Sequence, residues 1–237
     1  MKPQAYLEFL CSVNSLEELW DEHVRQMHAY RFERLIYGYT RHKTATSLGD
    51  PEDFTILSNH CAEYIGGFVD AGLYFEAPML QWALHNEGAG SWRLAQQMDG
   101  DGQLSENARK VRLFNQKFGL NAGYTVSFHS TSRRFKGAIS LAARKGMTQD
   151  EVEEIWAEHG QDITLMNNVA HLKILTLPYT PPHRCLTKRQ REALQWVGDG
   201  KTTQDTALLM GLTQATVEKH LRLAREASSE GLFVKPR

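Results

Sequence analysis

Residues 186–224 read LTKRQREALQWVGDGKTTQDTALLMGLTQATVEKHLRLA, and their pattern of caps and apolar positions predicts three short helices. A capping-box pair, Thr187 with Gln190, begins the first helix. Its apolar stripe recurs at helical spacing, at Ala193, Leu194 and Val197. The glycine-containing run at residues 198–200 then ends this helix.

The second and third helices are separated by a glycine turn. Thr202 or Thr203 can cap the second helix, and Gly211 breaks it. Its expected inward positions are Ala207, Leu208 and Met210. Thr213 caps the third helix, whose expected inward positions are Val217, Leu221 and Ala224. This order of helix, Gly-containing turn and polar-faced helix is the helix-turn-helix pattern.

The outer face of the third helix carries groups that suit DNA. Lys219 and Arg222 can bind guanine or phosphate, because the major groove presents acceptors on guanine. Glu218 can accept from a cytosine amine, and Gln214 can bind adenine. From spacing alone, a small helical dimerisation bundle with a solvated charged face remains the alternative.

Several short motifs of this stretch point to one family. They are Leu186-Thr187, the Gly200-Lys201-Thr202 turn, Gly211-Leu212, Thr216-Val217 and His220-Leu221. The stretch resembles the DNA-binding domain of the LuxR family of quorum-sensing regulators. The resemblance implies a transcription regulator that binds double-stranded DNA. The residues expected at the DNA are Thr202, Thr203, Gln214, Thr216, Glu218, Lys219, Arg222 and Arg225.

The C-terminal tail departs from this family. A linker and a fourth, dimerising helix normally follow the recognition helix, but here Ala227 is followed only by SSEGLFVKPR. We therefore expect the fourth helix to be absent or reduced to Leu232, Phe233 and Val234. A homodimer would then form through the N-terminal domain.

Composition and charge indicate a globular protein with two domains. The chain has 237 residues, of which 41% are hydrophobic and 23% are charged. Residues 186–237 hold nine Lys and Arg against six Asp and Glu, whereas the rest holds 18 against 22. The C-terminal segment is thus the basic one. Because the apolar runs are short and interrupted by charges, we expect no export signal, no membrane span and a cytoplasmic location.

A proline-rich stretch, TLPYTPPHRC at residues 176–185, separates the two parts. We predict a sensor and dimerisation domain at residues 1–172, a linker at 173–185 and a helix-turn-helix domain at 186–237, truncated at its fourth helix. The cysteines are odd in number and far apart, so neither zinc nor any other metal or cofactor is expected; they are Cys11, Cys61 and Cys185.

The N-terminal part mixes helical and strand periodicities. Amphipathic helices are expected at residues 5–11, 16–29, 61–71, 104–118 and 148–172. Strands are expected at residues 34–40, 54–57, 124–129 and 135–142. One central sheet between helical layers satisfies this order. The predicted fold class is α+β, with an α-β-α sandwich followed by an all-α helix-turn-helix domain.

The family resemblance extends through the N-terminal part. It is carried by LIYGYT at residues 35–40, FTILSNH at 54–60, FGLNAG at 118–123 and GAISLAA at 137–143. These segments are similar to the autoinducer-binding domain, which implies a ligand cavity between the sheet and one helical layer. The residues expected to line it are Ile36, Gly38, Thr40, Ile56, His60, Tyr64, Phe68, Ala77, Trp92, Ser140 and Ala142. From spacing alone, a role as ordinary core residues would be favoured for the apolar and aromatic members of this set.

The polar groups that the family uses to hold an acyl-homoserine lactone are replaced in this chain. An Asp, a Trp, two Tyr and a Ser or Thr are replaced by Ala77, Tyr64, His60, Phe68 and Ala142, respectively. An unpaired buried amide costs about 1 to 3 kcal/mol, so loss of the Asp alone should weaken a lactone by about ten- to a hundredfold.

Three hypotheses for the N-terminal domain follow. It could hold a different hydrophobic small molecule, have a filled core and serve dimerisation or protein contacts, or be an enzyme. No Ser/His/Asp or Cys/His arrangement, HExxH motif or phosphate loop supports an enzyme. We therefore predict a LuxR-type regulator that responds to a small molecule other than a standard lactone, with a ligand-independent regulator as the alternative.

Overall fold

The chain forms two compact units, Met1–Tyr179 and Thr180–Arg237. The computed structural model describes residues 3–44, 48–49, 54–177 and 188–229, with side chains at residues 189–224 in the last range. The predicted linker from residue 178 onward, Thr187 and the predicted remnant of a fourth helix lie outside the described residues. Within the described ranges, no helix is both long and apolar enough to cross a membrane.

A five-stranded antiparallel sheet organises the first unit. Its strands are β1 Phe32–Thr40, β2 Thr55–Ser58, β3 Gly88–Ser91, β4 Gly123–Ser127 and β5 Lys136–Ala143. The spatial order is β2-β1-β5-β4-β3. The long central strands β1 and β5 pair from Leu35 opposite Leu141 to Thr40 opposite Lys136.

One face of the sheet is covered by three helices: α1 Pro3–Ser12, α2 Leu16–Ala29 and α7 Gln149–Ile174. Local sequence sets their starts, because Ser15 caps α2 and Thr148 forms a capping box with Glu151 at α7. The main core lies between these helices and the sheet. Its fully buried members include Tyr6, Leu10, Leu19, Leu35, Tyr37, Ile139, Leu141, Ile163 and Met166.

A second group of short helices covers the other face. They are α3 Ala62–Ile65, a π-helix at Gly66–Asp70, a 3₁₀ turn at Leu73–Glu76, α4 Pro78–His85, α5 Arg93–Gly100 and α6 Glu106–Lys117. Gly67 lets the π-helix approach α6, since a Cβ there would lie 2.5 Å from the Phe114 ring.

The predicted fold class is confirmed, and the elements that the sequence did not predict all lie on the second face or beside it. These elements are β3, α4, α5 and the 3₁₀ turn at Leu73–Glu76. β3 reads GAGS and contains no β-branched or aromatic residue, so it gives no strand signal. α4 and α5 span only eight residues each, which is short for a helical periodicity to be recognised.

The second unit contains three helices, α8 Lys188–Gly198, α9 Thr203–Met210 and α10 Gln214–Ser229. Thr202 caps α9 in a capping box with Asp205, and Gly211 ends α9 in the left-handed conformation, with φ 65°. The buried centre of this unit is formed by Ala193, Ala207, Met210, Val217 and Leu221.

Two predicted inward positions of this unit are wrong. Leu208 is 78% exposed and Val197 is 41% exposed. In α9 the buried side chains are Thr206, Ala207 and Met210, and a single step from Ala207 to Leu208 rotates about 100° around the helix axis. In α8, Trp196 packs against the centre in place of Val197.

Candidate ligand cavity and nucleic-acid interface

A cavity of about 440 Å³ lies between the sheet and the second group of helices. This volume falls within the range of small-molecule pockets. Its wall is mainly apolar and includes Phe54, Val69, Met79, Leu80, Leu84, Leu104, Val111 and Leu120. A cavity of this volume argues against the alternative hypothesis, in which side chains fill the core of the N-terminal domain and the domain binds no ligand.

Strand β1 contributes to one wall of this cavity. Its side chains alternate between the two faces of the sheet, so only every second side chain points toward the cavity. Leu35 and Tyr37 of β1 belong to the main core, whereas Ile36 and Gly38 do not; the cavity is lined by Ile36 and Gly38 and also touches Tyr37. Gly38 has no heavy atom within 4 Å of the position that a Cβ would occupy. The glycine therefore leaves open space where another residue would narrow the cavity.

The structure brings nine of the eleven predicted ligand residues together in the cavity wall. These nine are Ile36, Gly38, Thr40, Ile56, Tyr64, Phe68, Ala77, Trp92 and Ser140. The other two, His60 and Ala142, are not part of the wall. Ala142 is buried in a small cluster with Tyr64 and Leu120, which places its methyl group in packing contacts.

His60 lies behind the wall, stacked against Tyr64. The ring centroids are 4.2 Å apart, and the ring planes differ by 19°. Burial, with a smaller contribution from Arg34, lowers the pKa of His60 to about 4, so its imidazole is neutral at pH 7. His60 therefore positions Tyr64 by packing.

Two donors of the cavity wall are already engaged inside the protein. The Tyr64 hydroxyl donates to Asn115 Oδ1 at 3.1 Å, and burial raises the pKa of this hydroxyl. Trp92 Nε1 donates to Thr125 Oγ1 at 3.0 Å. A ligand would have to displace one of these bonds to use either donor.

Ala77 lies at the position where the family has its amide-binding Asp. It caps the start of α4, is 9% exposed, and lines the cavity with a methyl group. The adjacent Glu76 is exposed. No Asp or Glu lines the cavity in the part of the chain that the structure describes.

Besides the predicted Thr40 and Ser140, the cavity wall contains polar residues that the sequence prediction missed. Lys136 and Arg112 are its cations, and Asn115, Gln96 and Thr125 also line it. The cavity-facing position of Lys136 could have been predicted from the sequence. Lys136, Ala138 and Ser140 occupy alternate positions of β5 and therefore share one face of the strand. Arg112 and Asn115 lie on α6, whose approach to the cavity depends on long-range packing.

The second unit presents one polar helix face. Gln214, Glu218, Lys219 and Arg222 of α10 are exposed, whereas Val217 and Leu221 are buried between them along the helix. Gln214 Nε2 donates to Glu218 Oε1 at 3.2 Å. α10 therefore has one apolar face and one face that carries both donors and acceptors.

Three of the other predicted DNA residues lie at helix starts. Thr202 is exposed and Thr203 is half-buried at the start of α9. Thr216 is half-buried in the first turn of α10, with its Oγ1 2.8 Å from that of Thr213. The side chain of Arg225 lies outside the described residues.

Comparison with known families assigns both units. A family profile described as the autoinducer binding domain matches residues 15–174, more than half of the chain. A second profile, sigma-70 region 4, matches residues 183–227, which include α8, α9 and most of α10. The chain belongs to the LuxR family of transcription regulators. As a LuxR-type protein it joins an autoinducer-binding domain to a helix-turn-helix DNA-binding domain, and it is a regulator, not an enzyme.

Individual LuxR-type relatives are distant in sequence. The transcriptional activator ExpR of Dickeya dadantii is 26% identical over 184 residues, which are 72% of this chain and 70% of ExpR. CepR2 of Burkholderia cenocepacia, an N-acylhomoserine-lactone-dependent LuxR-family factor, has a TM-score of 0.56 at 14% identity, covering 74% of this chain and 97% of CepR2.

A third relative is SdiA of Escherichia coli, whose complex with octanoyl-rac-glycerol has a TM-score of 0.52 at 16% identity. That match covers 95% of this chain and 87% of SdiA. At such identities, the structural likeness establishes the shared fold.

Proposed function

We propose that this LuxR-type regulator binds a hydrophobic small molecule other than a standard acyl-homoserine lactone and couples its binding to recognition of double-stranded DNA. The cavity of about 440 Å³ carries this proposal. Its apolar wall supports an acyl chain or a similar apolar body. A DNA-bound regulator of this kind would act in the cytoplasm.

The replacement of the family's polar groups supports a different ligand head. Ala77 offers no acceptor to an amide N–H, and Ala142 lies in packing contacts outside the wall. The SdiA complex with octanoyl-rac-glycerol supports the idea that this fold accepts an acyl ligand without a lactone head. The ligand residues proposed here are the nine predicted positions that line the cavity.

We infer that α10 is the recognition helix. Its exposed Lys219 and Arg222 would bind guanine or phosphate, while Gln214 and Glu218 would contact other bases. Thr202, Thr203 and Thr216 would lie near phosphates, because helix starts present backbone N–H groups. Arg225 completes the predicted set.

The proposed division of the chain follows the sequence. Residues 1–172 would sense the ligand and dimerise, residues 173–185 would link the two domains, and residues 186–237 would bind DNA. Exposed Leu165 and Leu172 support a homodimer through α7, because residues seven apart lie on one helix face. Two copies would then recognise paired half-sites.

Ligand extraction tests this function most directly. The full-length protein is purified, studied by native mass spectrometry and extracted with organic solvent to identify any co-purified molecule. The extract is then added back to ligand-free protein in an anisotropy titration with a selected operator duplex. A hydrophobic ligand that changes operator affinity is expected. An unliganded protein with ligand-independent operator binding would contradict the proposal.

A further inference from the structure

A buried lysine is the most unusual side chain of the cavity wall. Lys136 is 9% exposed and stands at the start of β5, directly opposite Thr40. Its Nζ donates to the Asn86 carbonyl at 3.1 Å, the one hydrogen bond that the described residues give it. An ammonium group has three donors, so this arrangement leaves capacity for a ligand acceptor.

The surroundings of Lys136 are positive. Burial lowers its pKa, the nearby Lys43 lowers it further, and Glu87 acts in the opposite direction. Lys43 Nζ is itself bound to the Leu84 carbonyl at 2.8 Å. The Glu87 carboxylate lies 2.7 Å from His129 Nδ1. Glu87, the acidic group that acts on Lys136, thus has a hydrogen-bond partner of its own.

The second cation of the wall is neutralised within the protein. Arg112 on α6 pairs with Asp99 at 2.6 Å, and Asp99 is not a wall residue. No carboxylate of the described residues lines the cavity, so the wall itself offers Lys136 no ion-pair partner, although Glu87 outside the wall offsets part of its charge. A buried ammonium costs free energy unless an acceptor or a negative charge faces it.

We propose that the natural ligand is an aliphatic carboxylate, with its apolar chain in the cavity and its carboxylate bound to Lys136. This inference rests on the proposed ligand-binding function and specifies its chemistry. A carboxylate accepts hydrogen bonds and needs no acceptor, so it tolerates the methyl group of Ala77. An acyl amide, in contrast, brings an N–H that requires an acceptor.

Two probes of equal chain length test the charge at the ligand head. Decanoate and decanol are titrated into the full-length protein, with binding measured by calorimetry and by intrinsic tryptophan fluorescence, to which Trp92 of the cavity wall contributes. Lys136→Met should weaken decanoate by about ten- to a hundredfold, because hydrogen bonds to charged groups are the strong ones. The same variant should change decanol binding by less than about threefold. Lys136→Arg should retain most of the decanoate affinity.

A matched control removes a lysine elsewhere. Lys117→Met takes one positive charge from exposed α6 surface and should leave both affinities unchanged. Equal decanoate binding by wild type and Lys136→Met would overturn the carboxylate proposal, as would a wild-type protein that binds decanol but not decanoate. The proposed binding of apolar ligands would survive both results. Wild-type protein that binds neither probe would contradict the ligand-binding function as well.

A second measurement does not depend on any variant. Decanoate labelled with ¹³C at its carboxyl carbon is titrated with acid in complex with the wild-type protein and followed by NMR. A carboxylate beside an ammonium should show a pKa below that of free decanoate. A raised pKa would place the carboxyl group in apolar surroundings away from Lys136 and would overturn the proposal.

Discussion

The hydroxyl of Tyr37 on β1 lies 2.9 Å from Nδ1 of His171 on α7, and both side chains are buried. His171 also stacks on Phe128 at a ring-centroid distance of 4.1 Å. Burial lowers the pKa of His171 to about 4. The bond between the sheet and the longest helix of the first unit therefore involves a neutral imidazole at pH 7.

Stability should fall as the pH decreases from about 6.5 to about 4. In this window the unfolded chain binds protons that buried His171 does not, so acid favours unfolding. At pH 5 the loss from this histidine is about 2 kcal/mol. His23, whose pKa is also lowered to about 4 by burial, should act in the same direction. Urea unfolding at several pH values measures the slope.

The variant His171→Gln should reduce this pH slope, whatever its effect on stability at pH 7. Exposed His85→Gln serves as the control and should leave the slope unchanged. A slope identical in wild type and His171→Gln would show that His171 titrates normally in the folded protein.

Loss of either cation of α10 should weaken operator binding. Lys219→Ala and Arg222→Ala should each cost about 1 to 3 kcal/mol if the side chain contacts a base, and a phosphate contact should also reduce the salt dependence. Fluorescence anisotropy with a selected duplex measures both. Arg191→Ala on α8 removes the same charge and should have a smaller effect. Unchanged affinity in the Lys219/Arg222 double variant would refute the proposed recognition helix.

Standard acyl-homoserine lactones should stabilise the protein little. A ligand at a hundred times its dissociation constant adds about 2.7 kcal/mol to stability, which a thermal-shift assay resolves. We expect a lactone panel of varied chain length to give little or no shift, and Ala77→Asp to increase the response by restoring the amide acceptor. A micromolar response of the unmodified protein would mean that another group replaces the missing Asp.

A charge on the exposed face of α7 should prevent dimerisation. Leu172, 62% exposed, is replaced by Glu in the full chain, and Leu165→Glu is tested in parallel. Multi-angle light scattering should show a dimer for wild type and a monomer for these variants, because the charge would be buried in an apolar interface. Leu113→Glu, at a 54% exposed position of α6, should remain dimeric. Variants of α7 that stay dimeric would place the interface elsewhere.

The central sheet was predictable because its strands have clear local patterns. LIYGYT combines β-branched and aromatic residues, GAISLAA alternates around Ile139 and Leu141, and the two segments form the paired strands β1 and β5. The second group of helices gave weaker signals. α4 and α5 are short, and the π-helix at Gly66–Asp70 has no periodicity that distinguishes it from an α-helix.

The cavity residues that lie on strands could be predicted from the sequence. Ile36, Gly38, Thr40 and Ser140 line the cavity as strand alternation required. Strand alternation does not apply to His60, which precedes the short helix α3. His60 therefore stacks behind Tyr64 and does not line the cavity. Lys136 was missed because a lysine at a strand end is usually solvated. Leu208 was wrongly expected to be buried because it lies in the four-residue apolar run at 207–210, of which only Ala207 and Met210 face the centre of the unit.

Substitutions on the two faces of β1 should have different effects: those on one face change the cavity, and those on the other change the main core. Substitutions at Ile36 or Gly38 alter the space that a ligand occupies, while Leu35 and Tyr37 keep their contacts with the opposite layer. A lineage of such regulators can therefore acquire a new chemical signal through changes on one side of a single strand. The core on the opposite face of the sheet would keep its contacts through such changes.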